Sequence, residues 1–134
     1  MAENFTKTYT FKSSENVDAF LKELGVPDDK IAQYQSAKPN LEISKQGDNY
    51  TIKTVMPDRT HEISFELGKE FEEKRPNGTT VKSTVVKGEG RQLIQTQKDG
   101  DKVITIVRDG NGPELITTAT IGSIQAKWVY TKDE

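Results

Sequence analysis

After Leu41 the chain is punctuated by turn residues at a spacing of roughly ten, and that rhythm narrows the choice of fold sharply. The turns read as Gln46-Gly47-Asp48-Asn49, Pro57-Asp58, Leu67-Gly68, Pro76-Asn77-Gly78, Gly88-Glu89-Gly90, Asp99-Gly100-Asp101, Gly110-Asn111-Gly112 and Gly122-Ser123. Strands are expected between them at 49–55, 61–67, 79–87, 92–98, 102–108, 114–121 and 124–131, with another short one between Gly68 and Pro76. Such spacing suits an antiparallel meander of short hairpins.

Ahead of Leu41 the period changes. Phe5, Tyr9 and Phe11 share one face of a strand, whereas Val17, Phe20, Leu21 and Leu24 fall at i, i+3, i+4 and i+7 on a helical stripe. Ser13 or Ser14 is expected to cap that helix, and Gly25 to end it in a left-handed turn. Pro27-Asp28-Asp29 opens a second short helix that turns Ile31 and Tyr34 inward and stops before Pro39. One strand, two helices and a long run of further strands predict an all-β fold, a ten-stranded up-and-down antiparallel β-barrel (a β-clam). Closure is favoured because it removes exposed strand edges. The helix-turn-helix, about residues 14–38, would close one end as a lid. Neither a linker nor a low-complexity tract interrupts residues 1–134, so a single domain is expected.

Composition narrows the function. The chain has 134 residues, enough for a core without metal or disulfide support, and its lack of cysteine excludes thiol and disulfide chemistry. A net charge of −2 with both signs dispersed argues against nucleic-acid binding. The opening MAENFTKTYTF lacks a basic region followed by an apolar run. No apolar stretch approaches the roughly 20 residues of a membrane helix, so a cytoplasmic location is expected. Hydrophobic residues make up 32%, below a norm of about 45–50% that also counts glycine. A barrel with a partly polar, wet inner wall would account for that deficit.

Residues Glu62–Ser83, EISFELGKEFEEKRPNGTTVKS, resemble the central stretch of the intracellular lipid-binding proteins, the family of fatty-acid-binding and cellular retinoid-binding proteins. Lys7-Thr8-Tyr9-Thr10-Phe11 followed by Asn16-Val17-Asp18-Ala19-Phe20-Leu21 is similar to the family's entry motif, although Val17 stands where the family usually has Phe or Tyr. Tyr130-Thr131-Lys132 adds a match near the end. The resemblance implies a monomeric carrier rather than an enzyme, with no cofactor, holding a long-chain fatty acid or related apolar carboxylic acid inside the barrel. A retinoid, sterol or other ring-containing ligand is the alternative, as is a ligand-poor interaction protein of the same fold.

Fatty-acid members of that family hold the carboxylate with two arginines and a tyrosine. Ile106-Val107-Arg108 resembles the segment bearing the first arginine, and Trp128-Val129-Tyr130 resembles the Arg-x-Tyr of the last strand, with tryptophan in the arginine's place. Arg108 and Tyr130 are thereby implied as head-group residues. An ionised carboxylate left unpaired in a low-dielectric interior costs several kcal/mol, and a guanidinium fork offsets this by matching both oxygens. Strand parity puts Trp128 on the face of Tyr130 and Lys127 on the other. Trp128 is expected to fill the missing arginine's volume and present a flat apolar wall. Gln95, Gln97, Thr117 and Thr54 are candidates for a polar wall, or else solvent-facing strand residues. Val17, Leu21, Val26, Asp58 and Arg59 are expected at the portal, with Asp58 where fatty-acid members often place a phenylalanine. Arg59, Lys22 and Lys30 either touch anionic membrane transiently or form an ordinary solvated face.

Other chemistry finds little support. His61 lacks a metal-spaced partner and shares a face with Ile63 and Phe65, where it could make an ordinary hydrogen bond. Glu70, Glu72 and Glu73 cluster, but nothing in the sequence fixes the separation that an acid/base pair needs. Asp99-Gly100-Asp101 opens like a calcium loop, yet Lys102-Val103-Ile104-Thr105 lacks the oxygens to continue it. Gly88-Glu89-Gly90 lacks the helix and lysine of a phosphate loop.

Overall fold

The computed structural model describes residues 5–36, 38–56, 60–74, 80–90 and 92–132. Strand β1 (Phe5–Glu15) leads into helices α1 (Val17–Glu23) and α2 (Asp28–Ser36). Strands β2 (Asn40–Gln46), β3 (Asn49–Val55), β4 (Thr60–Glu66), β5 (Phe71–Lys74) and β6 (Thr80–Lys87) follow. The chain finishes with β7 (Gln92–Asp99), β8 (Lys102–Asn111), β9 (Glu114–Ile121) and β10 (Ile124–Lys132). All ten strands belong to one sheet in the order β4-β3-β2-β1-β10-β9-β8-β7-β6-β5. Pairing of β1 with β10 bends the meander back on itself, giving the expected up-and-down antiparallel barrel.

The hydrogen-bonded ladder stops short of a full circle. β4 and β5 stand at its two ends without pairing to each other. Side chains cross the seam instead. Phe65 of β4 stacks on Phe71 of β5 with ring centroids 5.6 Å apart, and Tyr50 of β3 extends the stack at 5.7 Å from Phe65. His61 Nε2 and a Glu73 carboxylate oxygen meet across it at 3.4 Å.

Alternation along the strands builds the interior. In β9, Leu115, Thr117, Ala119 and Ile121 are buried while the residues between them are half-buried. Val17 and Phe20 of α1 pack with Ile104, Ala119, Ile121 and Ala126, which seats the lid on the rim made by β8, β9 and β10. Lys102 Nζ donates to the Glu23 carbonyl at 2.6 Å, satisfying a group that the end of α1 leaves without a helical partner.

The start of that helix differs from expectation. Ser13 and Ser14 do not cap it, because β1 continues through Glu15 and pairs Ser13 with Val129 and Ser14 with Trp128. The cap position belongs to Asn16, at φ 58 and without a side-chain cap bond. Its Nδ2 donates instead to the Gln125 carbonyl at 2.9 Å, tying the lid's first turn to β10. Gly25, at φ 91, ends α1 in the left-handed turn foreseen. Ile31 of α2 is buried, while the side chain of Tyr34 lies outside the described residues.

Candidate functional site

Beneath α1 lies a cavity of about 270 Å³, near the lower end of the roughly 300–1,000 Å³ usual for small-molecule sites. That is room for one slender ligand. Val17, Phe20 and Leu21 of α1, its C-cap Leu24 and the following Val26 form its apolar roof. The barrel wall contributes Ile106, Ala119 and Trp128 together with a small set of polar side chains.

Strand register brings the polar set together. Arg108 on β8 stands opposite Thr117 on β9, which stands opposite Trp128 on β10. Tyr130 is two residues from Trp128 on the same face, and no register shift interrupts β10 against β9. The irregularity in this region belongs to β1, between Phe11 and Ser13. Lys127 accordingly stays out of the cavity lining.

Arg108 Nη1 donates to Gln95 Oε1 at 2.7 Å, the hydrogen bond of its side chain among the described residues. Burial lowers its pKa while the charge of Glu73 and the nearby Tyr130 oppose that shift, and a guanidinium keeps its proton in proteins. The Tyr130 hydroxyl is pushed up to about 12 by burial, against the pull of Arg108, and is therefore a neutral O–H donor. Its ring meets Phe11 edge-on at 6.2 Å. Thr117 Oγ1 is buried without a partner among the described residues. A buried hydroxyl in that condition is costly unless something polar reaches it.

Behind this row stands a group that sequence reasoning left unassigned. Glu73 is 6% exposed, and its Oε1 accepts from Ser83 Oγ at 2.9 Å, Gln95 Nε2 at 2.6 Å and Gln97 Nε2 at 3.0 Å. Burial alone would raise its pKa; the hydrogen bonds from His61, Ser83 and Gln97 and, when the imidazole is protonated, its charge outweigh this and hold Glu73 below the usual range. One amide thus links a buried carboxylate to the half-buried arginine. The signal was present in the sequence. Phe71 and Glu73 are two apart on β5 and must share a face, so an inward Phe71 brings Glu73 inward with it.

Of the candidates read from the sequence, Arg108, Tyr130, Trp128, Gln97, Thr117 and Thr54 all line the cavity. Gln95 is fully buried but does not reach the lining; it serves as the link between Arg108 and Glu73. Val17, Leu21 and Val26 line the lid side. Asp58 and Arg59 lie outside the described residues. Trp128 meets Phe20 of the lid edge-on at 6.1 Å, so it also joins wall to roof.

A ten-stranded barrel with a two-helix lid over a cation and a phenol defines the lipid-carrier class of β-barrel. Residues 1–132 match the family described as the lipocalin / cytosolic fatty-acid binding protein family, and the chain belongs to it. It is 42% identical over 125 residues to a fatty acid-binding protein of Tyrophagus putrescentiae, covering 93% of this chain and 95% of that one. The fold superposes with a TM-score of 0.87 on a fatty acid-binding protein from brain tissue of Drosophila melanogaster, at 43% identity over 93% of this chain and 96% of that one. A Schistosoma mansoni fatty acid binding protein in complex with arachidonic acid gives a TM-score of 0.91 at 31% identity, covering 95% of this chain and 94% of that one.

Proposed function

We propose that this protein binds a single long-chain fatty acid or related apolar carboxylic acid in the barrel cavity and serves as its intracellular carrier or buffer. The observation that carries this reading is the pairing of a half-buried, permanently charged Arg108 with a buried, protonated Tyr130 on the wall of an otherwise largely apolar cavity. Arg108 balances the ligand's charge, Tyr130 donates to a carboxylate oxygen, and Thr117 offers a further polar contact. Gln97 and Thr54 orient water and the head group, while Trp128 and the apolar roof take up the tail. Burial of the tail at about 0.8 kcal/mol per methylene provides most of the affinity, and the polar row selects the acid.

The same reading makes the protein a monomeric binding protein rather than an enzyme, acting in the cytoplasm. The exposed Lys22 and Lys30 on the lid helices suit transient contact with anionic membrane during transfer. Among the described residues no helix is long and apolar enough to cross a membrane. Titration with a fluorescent long-chain fatty acid should saturate at one per chain. Arg108→Ala should weaken it by about 10–150-fold, the loss of a charge-assisted contact worth roughly 1.5–3 kcal/mol. Unchanged affinity in that variant would remove Arg108 from the site. Trp128, set edge-on to Phe20, supports a second reading in which a ring-bearing ligand stacks on the wall; competition between a fatty acid and a retinoid separates the two.

A further inference from the structure

We propose that a carboxylate enters this cavity together with one proton, taken up by His61, because Glu73 already balances the charge of Arg108. This rests on the fatty-acid reading above and adds a condition to it. Among the described lining residues four can ionise: His61 on β4, Glu73 on β5, Arg108 on β8 and Tyr130 on β10. Tyr130, pushed up to about 12, stays neutral. Arg108 and Glu73 carry opposite charges and are joined through Gln95 by contacts of 2.7 and 2.6 Å. With His61 uncharged, the lining is neutral before any ligand arrives. Trp128, in the row with Arg108 and Thr117, adds no second cation.

A ligand carboxylate then brings one negative charge too many into a low-dielectric space, which is unfavourable unless another charge offsets it. His61 is placed to do so. Its Nε2 lies 3.4 Å from Glu73 Oε2, and its side chain is 21% exposed, so buffer can deliver the proton. Histidine is the side chain that protonates nearest neutral pH. On uptake the imidazole becomes an imidazolium, its bond to Glu73 becomes charge-assisted, and the buffer is left one proton short. A neutral alcohol of the same chain length needs no such proton. Affinity for the acid should therefore fall by up to about tenfold per pH unit relative to the alcohol once His61 is unprotonated in the free protein.

The test is calorimetric titration of the whole protein with sub-micellar laurate and with 1-dodecanol, near neutral pH, in buffers of different ionisation enthalpy. Laurate should bind with net proton uptake approaching one, dodecanol with none, and His61→Gln should abolish the uptake with laurate. Laurate binding without uptake by the unaltered protein would overturn the inference and leave the fatty-acid reading standing. Uptake that persists in His61→Gln would also overturn it, since the proton would then reside on the ligand's own carboxyl or on Glu73. No laurate binding at any pH would instead defeat the fatty-acid reading, and this inference with it. Should His61→Gln fold poorly, the ring carbon shifts of His61 in the unaltered protein answer the same question: a move to the imidazolium position on adding laurate supports the assignment, and unmoved shifts refute it.

Discussion

From β7 round to β10 the wall is an unbroken ladder, whereas β4 and β5 meet through side chains. The first region carries Arg108, Thr117, Trp128 and Tyr130, each held in place by cross-strand register. The second carries His61 and Glu73, whose meeting depends on two strand ends approaching without a shared backbone bond. The proposed head-group residues thus sit on strands paired on both sides, and the titratable pair sits where β4 and β5 share no ladder.

The contrast should be visible in stability. Ile104, fully buried on β8 beneath the lid helix, should cost about 2–5 kcal/mol when truncated to alanine, through lost transfer energy and an unfilled cavity. Phe71, half-buried at the seam and stacked on Phe65, should cost about 1–2 kcal/mol on the same substitution. Chemical denaturation of both variants measures the difference. Equal losses would mean that the seam is as tightly packed as the ladder.

A smaller effect concerns acid. The pKa of Glu73 is lowered in the folded chain, so its contribution to stability is complete above the ordinary carboxylate value and is lost as pH falls through the lower native one. Comparing the melting temperature of the unaltered protein with that of Glu73→Gln across pH should show the gap narrowing toward acid. A gap that widened there would contradict the buried, ionised state assigned to Glu73.

Much of this was legible in the sequence because local rules and global architecture agree. Turn residues at short intervals defined the hairpins, and period-two parity fixed that Trp128 and Tyr130 share a face, which the regular β9–β10 register bears out. The helix cap was misread at Ser13 and Ser14 because a capping preference is local, while the length of β1 is set by its partner β10. Glu73 stayed hidden for a related reason. Its importance comes from Ser83, Gln95 and Gln97 on β6 and β7 and from His61 across the seam, contacts that need the barrel to be wound before they exist. Gln95 was read as a wall residue because strand parity gives a face but not how far a side chain reaches.

A crystal structure with bound long-chain fatty acid would show whether the acid group rests, as proposed, on the ladder wall between Arg108 and Tyr130. A carboxylate oxygen is expected within hydrogen-bond reach of the Arg108 guanidinium, another at the Tyr130 hydroxyl, and the tail running past Trp128 beneath α1. A carboxylate found instead at the lid, with the tail packed against Arg108, would contradict that placement.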